Sequence, residues 1–423
     1  MAKIECTFWG VGQGLFSSGR VHLPNSKFVW VYDCGSTSNR THLNSAIVNS
    51  KQKYGNHINL LALSHFHADH INGVAQLLKN TNSIDYLLLP YYPLGYRLLV
   101  ALSQNLDIED PIWKFYQNPT AYILENFEIN KKLLLVPAFK NDSDNDEIVK
   151  EIEGNDFIFY ERSDFKDVDE KYKNKVALLE LGKEMQCDNV EFFPYTPLLK
   201  FSKRNKAIIL TNHVANIEVI WNNNKLSIAD KIKALKNYYS QNFGARNLNY
   251  LSLFLYVRQC DEMQRSCTFN ESKNNNEEGA LFLRSTDNLK YYAIFCLCNN
   301  IKNKYIKDFY LSDPLKIYKN AIYKNAILYT GDGYLKKQSD LQELISVLGQ
   351  DRIERIFAFQ VPHHGAKGNS YKGLAADLKP NMSIFSAGEN SKYKHPHPVV
   401  FFDFKTYTPI FVNESNTLTF CFS

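Results

Sequence analysis

Within residues 61–74, LALSHFHADHINGV, an apolar run breaks into His65, His67, Asp69 and His70 inside six positions. Imidazole and carboxylate groups bind divalent cations of intermediate hardness when several of them converge. Side chains alternate along a strand, so period two beyond the apolar run sends His65 and His67 to the same side. Asp69 and His70 fall where INGVAQLL starts a helical pattern, and a carboxylate there faces the positive end of the helix dipole and stays ionised. One turn thus offers two ligand pairs, His65 with His67 and Asp69 with His70. That arrangement suits two divalent ions roughly 3.5–4 Å apart that activate a water between them.

Three later segments repeat the theme. ILYTGDGYL sets Asp332 at the exit of an apolar strand between two glycines that allow a sharp turn, where its carboxylate could bridge both ions. VPHHGAKGNS ends a strand in His363 and His364, and FSAGENSKYKHPHP carries His395 and His397. Each strand ends in a side chain competent for metal or phosphate, and strand exits are where open α/β architectures build their sites. Neither VGQG nor TGDG has the length or the lysine of a nucleotide-binding P-loop, which sets aside an ATPase.

The elements that must position these residues follow an α/β grammar. IECTFWGVGQG, FVWVYDCGS, INLLALSHF and IDYLLLP read as strands with a helical INGVAQLLKN between the last two. The last hundred residues repeat the pattern: NAILYTGDG, helical LKKQSDLQELISVL, RIFAFQVPHHG, helical YKGLAADL, NMSIFSAGE and helical HPVVFFDFK. Residues 96–245 change in character, mixing aromatic segments with the acidic NDSDNDEIVKEIEGND, and read as an inserted, mainly helical or mixed subdomain between residues 1–95 and 246–423. Residues 261–279 carry no apolar period and read as a long exposed loop. The lysine–tyrosine stretch at 301–325 reads as a solvated helical connection, with backbone tracking on nucleic acid as the alternative.

Composition bounds the class. At 423 residues with 44% hydrophobic and 22% charged residues, the chain has the apolar material for a substantial core. A net charge of +5 is compatible with nucleic acid without demanding it. Cysteines at 6, 34, 187, 260, 267, 296, 298 and 421 lie mostly in apolar runs, as buried hydrophobes in a reducing compartment do. No stretch reaches the roughly 18 apolar residues of a membrane span, and the start lacks a signal-peptide pattern, so the expected location is cytoplasmic, with no membrane partner.

His65-Phe66-His67-Ala68-Asp69-His70 resembles the HxHxDH signature of the metallo-β-lactamase superfamily. VGQG, YDCGS, TGDG, VPHHGAKGNS and SAGENSKYKHPHP are similar to motifs of the soluble hydrolase domain of the bacterial DNA-uptake competence channel and its standalone relatives. The resemblance covers residues 1–95 and 246–423. It implies an αββα metallo-β-lactamase sandwich with the metal site on one edge, and a hydrolase whose relatives act mostly on phosphodiesters. It further implies His65, His67, Asp69, His70, Asp332 and His364 as ligands of two divalent ions, zinc or manganese. His363 would then serve beside the ligands or on the substrate phosphate. His395 would lie near the substrate, binding phosphate or protonating the leaving oxygen, and Asp33 would orient a ligand histidine. Asp69 or Asp332 would accept the nucleophile's proton, and Asn249 and Ser252 would support the site from behind.

Two departures stand out. His67 occupies a position where many competence-type domains carry aspartate, and softer nitrogen ligands favour zinc. The superfamily's third-motif histidine has no counterpart before NLNYLSLFLYV, and His213 reads as structural. The expected activity is metal-assisted phosphodiester hydrolysis, foremost of DNA, with a bacterial defence or regulatory role and residues 96–245 contacting a protein partner or gating the site. The rivals are a small-molecule phosphodiesterase acting on phosphorylcholine or a cyclic nucleotide, and a non-catalytic metal-binding scaffold.

Overall fold

The computed structural model describes residues 3–79, 83–103, 106–110, 112–137, 149–153, 157–162, 168–197, 204–243, 252–260, 267–273 and 324–422. Among these, two nine-stranded sheets lie face to face. The first runs, in spatial order, Cys267–Lys273, Asn416–Phe422, Lys3–Phe8, Phe16–His22, Lys27–Cys34, His57–Ala62, Ser83–Tyr91, Ile129–Pro137 and Val176–Leu178. The second runs Pro409–Val412, Met382–Ser386, Ile356–Gln360, Ala326–Tyr329, Phe254–Gln259, Val190–Tyr195, Met185–Cys187, Ile158–Arg162 and Val149–Glu153.

Continuous apolar strands mark sheets buried on both faces, and the residue parity shows how. Trp30, Tyr32, Leu60 and Ala62 face inward to meet Phe192, Leu255, Ile327 and Tyr329 of the other sheet. Tyr32 stacks on Tyr329 at 4.5 Å, and Trp30 meets Phe192 edge-on at 5.7 Å. The alternate residues Val29, Val31, Leu61 and Leu63 pack outward under the helices Arg40–Tyr54 and Leu94–Ser103. On the far side Phe254, Tyr256, Leu328 and Phe359 pack under Gln338–Leu348, Leu374–Leu378 and Pro398–Phe404. The layers are therefore helix, sheet, sheet, helix, the αββα sandwich that the motifs implied.

Both sheets carry a parallel block. Lys27–Cys34, His57–Ala62, Ser83–Tyr91 and Ile129–Pro137 run together in the first, and Ala326–Tyr329, Ile356–Gln360, Met382–Ser386 and Pro409–Val412 in the second. Their carboxyl ends deliver Asp33, the 65–70 turn, Asp332, the His363–His364 turn and the loop to His395.

Two segments differ from the sequence reading. Residues 96–245 form no separate layer among the described residues. Ile129–Pro137 and Val176–Leu178 extend the first sheet, and Val149–Glu153, Ile158–Arg162, Met185–Cys187 and Val190–Tyr195 extend the second. The helices Arg204–Trp221 and Ile228–Phe243 share the outer core through Val214, Ile217, Ile232 and Leu235, so a boundary at 95/96 cuts a continuous core. Within 261–279, Cys267–Lys273 is an edge strand paired antiparallel with Asn416–Phe422. Backbone pairing at an edge needs no apolar period, so the pattern could not show it. The stretch 301–323, most of the acidic segment at 141–156, and Asn249 lie outside the described residues. No described helix is long and apolar enough to cross a membrane.

Candidate metal centre

The site is built on a buried carboxylate. Asp33, at the end of Lys27–Cys34, accepts the Ser64 backbone N–H at 2.6 Å through Oδ1. Its Oδ2 accepts the Ser64 hydroxyl at 2.6 Å and Nδ1–H of His70 at 2.8 Å. The Ser64 hydroxyl in turn takes Nδ1–H of His65 at 2.9 Å. On the other sheet Nδ1 of His364 donates to the Ser386 carbonyl at 2.5 Å. All three imidazoles therefore have Nδ1 engaged by protein acceptors, which leaves Nε2 as the nitrogen that each turns into the site.

Those three Nε2 atoms turn toward two carboxylates. Asp332 Oδ1 lies 3.1 Å from His70 and 3.6 Å from His364, and its Oδ2 lies 3.6 Å from His65 and 3.4 Å from Nε2 of His363. Asp69 Oδ2 lies 3.3 Å from Nε2 of His364. Two groups with metal-ligand spacing result among the described residues: His65, His70 and Asp332, and Asp69, His70 and His364.

This grouping differs from two separate pairs. His70 stands between both groups because Asp33 holds its far nitrogen and aims the near one inward. His67 points Nδ1 at Nε2 of His65, 3.1 Å away, and stands outside both groups. Asp69 sits in a helical turn of four residues, Ala68–Ile71, too short to present much of a dipole. Burial alone would raise its carboxyl, but His70 and the hydrogen bond from His364 outweigh this and hold it well below the usual range. Burial likewise opposes charge on His70, yet Asp332, Asp33 and Asp69 hold its pKa well above the ordinary value.

Supporting residues surround this cluster. Ser252 Oγ accepts the Asp332 backbone N–H at 3.1 Å and lies 3.4 Å from Nδ1 of His65. His363 and His395 flank the histidines, with ring centroids 5.7 Å apart, and each keeps a buried Nδ1 without a hydrogen-bond partner. Burial, with His364 and His363 adding to it, pulls the pKa of His395 down to about 4, so its ring is neutral at pH 7. It can donate one N–H to a phosphoryl oxygen, but a neutral imidazole is a poor proton source for a leaving group. His397 caps the helix Pro398–Phe404, and His213 bonds the Tyr238 hydroxyl at 2.6 Å in the outer helical layer.

The backbone bends hard to make this cluster. Asp33, His363 and His364 take φ of 55°, 50° and 57°, a left-handed region that non-glycine residues seldom occupy. Gly35 lets the chain pass under the ligand turn, where a Cβ would stand 2.5 Å from the backbone N of His70. Gln360 was not visible as a site residue: its buried amide oxygen accepts the backbone N–H groups of Thr330 and Gly331 at 2.8 and 2.7 Å, tying the TGDG turn to the next strand. Asn369 donates to the Asp332 carbonyl at 2.8 Å. Ser64 was missed too, and its only signal was adjacency to the first histidine.

The donor set fits divalent cations: three imidazoles with committed Nδ1 atoms and two carboxylates are deprotonated-ligand chemistry. Asp33→Asn tests the support. Asparagine tolerates the positive φ, so the change removes charge and one acceptor. Metal affinity in a titration is expected to fall about 10–100-fold, and an unchanged affinity would show that Asp33 does not orient His70.

The helix, sheet, sheet, helix layers place the histidine–aspartate turn at the strand exits on one edge of the sandwich. No family model matches the chain. A stretch of 73 residues is 36% identical to ComE operon protein 3 of Bacillus subtilis, 17% of this chain and 9% of that protein. Similar solved structures include the metallo-β-lactamase fold protein YhfI from Bacillus subtilis, at 13% identity over 46% of this chain and 54% of that one, with a TM-score of 0.19. A long form RNase Z from yeast is 9% identical over 98% of this chain and 41% of that one, with a TM-score of 0.31. The chain spans less than two thirds of the length of each of these proteins.

Proposed function

We propose that this chain is a metal-dependent hydrolase of phosphodiester bonds, with DNA its foremost substrate. The observation that carries the reading is the convergence of three buried Nε2 atoms on Asp69 and Asp332, each imidazole locked from behind. Bound divalent cations would polarise a phosphoryl oxygen and lower the pKa of water towards neutrality. His65, His70 and Asp332 would hold one, and Asp69, His70 and His364 the other, with Asp332 presenting an oxygen to each group. The imidazole-rich set suits zinc, and manganese is the alternative.

The remaining residues position and neutralise. Asp33 and Ser386 keep His70 and His364 in register, and Ser252 holds the Asp332 backbone. His363 and His395 offer N–H groups to phosphoryl oxygens as charge grows there. Asp69, ionised and partly open to solvent, can orient the attacking water by accepting its hydrogen bond. A noncatalytic scaffold would have no use for this set of aligned nitrogens. A protein partner for residues 96–245 would meet the outer helices they contribute.

The test is a substrate panel: linear and circular DNA, RNA and a chromogenic phosphodiester, each with zinc or manganese. DNA turnover is expected. Turnover of the small diester alone would replace the nuclease reading with a small-molecule one.

A further inference from the structure

The loop that delivers His395 carries three consecutive exposed side chains, Lys392, Tyr393 and Lys394, beside the metal centre. Tyr393 is 55% exposed and belongs to none of the three cores. Its ring is nonetheless ordered against the site. It stacks on His395 at 5.8 Å and 23°, and His395 stacks on His364 at 6.2 Å and 20°. Three nearly parallel rings therefore lead from solvent to a buried histidine of the ligand cluster.

The loop is anchored so that this order persists. His397 N–H donates to the Gly365 carbonyl at 3.0 Å, tying it to the His363–His364 turn. Within it, Lys394 N–H donates to the Ser391 carbonyl at 2.9 Å and Tyr393 N–H to Ser391 Oγ at 3.2 Å. Lys392 Nζ lies over the Tyr393 ring, 5.0 Å from its centre, a flexible ammonium that a stacking base would displace toward the neighbouring phosphate. The one acidic side chain of the loop, Glu389, is also exposed, and its N–H donates to Glu414 Oε2 at 3.0 Å, so both carboxylates lie at the start of the loop and the two lysines flank the ring.

We propose that Tyr393, flanked by Lys392 and Lys394, is the platform on which an unpaired base of a single-stranded polynucleotide stacks while the adjoining phosphate lies over the metal centre. This rests on the phosphodiesterase reading above. An aromatic face with neighbouring cations holds single strands because every base has a π-face and every linkage a charge. A base within a duplex has both faces covered by its neighbours, so the platform selects the unpaired strand.

Binding of labelled, hydrolysis-resistant phosphorothioate 12-mers tests it, using fluorescence anisotropy on the metal-loaded protein. The probes are a thymidine strand, the same backbone with abasic units, and a duplex. Wild-type protein is expected to bind the thymidine strand about 5- to 100-fold more tightly than the abasic strand. Tyr393→Ala is expected to erase that difference, while Tyr393→Phe keeps it. Wild-type protein that treats base-bearing and abasic strands alike, or Tyr393→Ala binding thymidine as wild type does, overturns the platform. Equal binding of the duplex overturns the choice of single strands. Turnover of unmodified DNA by the same wild-type preparation separates the two readings: if it persists, only the platform has failed, and if no DNA is cleaved, both have.

Discussion

Asp332→Asn is expected to lower hydrolysis about a thousand-fold or more while the protein stays folded. The carboxylate presents Oδ1 to His70 and His364 and Oδ2 to His65 and His363. Asparagine keeps its shape but halves its capacity as a ligand and removes its charge. Bound cations would supply several kcal/mol of transition-state stabilisation, and each ~1.4 kcal/mol is a factor of ten in rate. The fold should survive because the Asp332 backbone is held independently, by Ser252 on its N–H and Asn369 on its carbonyl. Turnover at the wild-type rate in a variant with an unchanged Tm would remove Asp332 from the site.

Stripping divalent ions with a chelator is expected to abolish hydrolysis and to lower Tm by a few degrees, both restored by zinc or manganese. Without a cation the sandwich edge holds Asp33, Asp69 and Asp332 close together, balanced among the described residues by histidines. A cation that binds the folded chain alone adds about 2.7 kcal/mol at a hundred times its dissociation constant. Because the ligands come from both sheets, that energy opposes separation of the two halves. Elemental analysis alongside differential scanning calorimetry checks this. Full activity and an unmoved Tm in demonstrably metal-free protein would rule out the cation.

What could be read from the chain was the local part. Runs such as FVWVYDCGS and INLLALSHF announce buried strands, and the residues just past their ends are those the structure gathers on one edge. What could not be read was pairing at a distance. Nothing local in Ile129–Pro137 or Val190–Tyr195 says that one joins the first sheet and the other the second, so residues 96–245 looked self-contained. The place of His70 in both candidate groups was hidden for the same reason. It depends on Asp33, 37 residues earlier, capturing one ring nitrogen. The dipole argument for Asp69 failed because the helix ended after one turn; the partners that replace it are its own neighbour His70 and His364, 295 residues further along the chain.

The three left-handed residues have an evolutionary consequence. At Asp33, His363 and His364 the backbone favours glycine or asparagine, and a side chain held there costs about 1–3 kcal/mol. Selection for stability and selection for chemistry thus pull in opposite directions at the same three positions. A lineage that kept the sandwich but lost the reaction would gain stability by releasing them. The pair at 363 and 364 would then drift before the buried strand Ile356–Gln360 that delivers it.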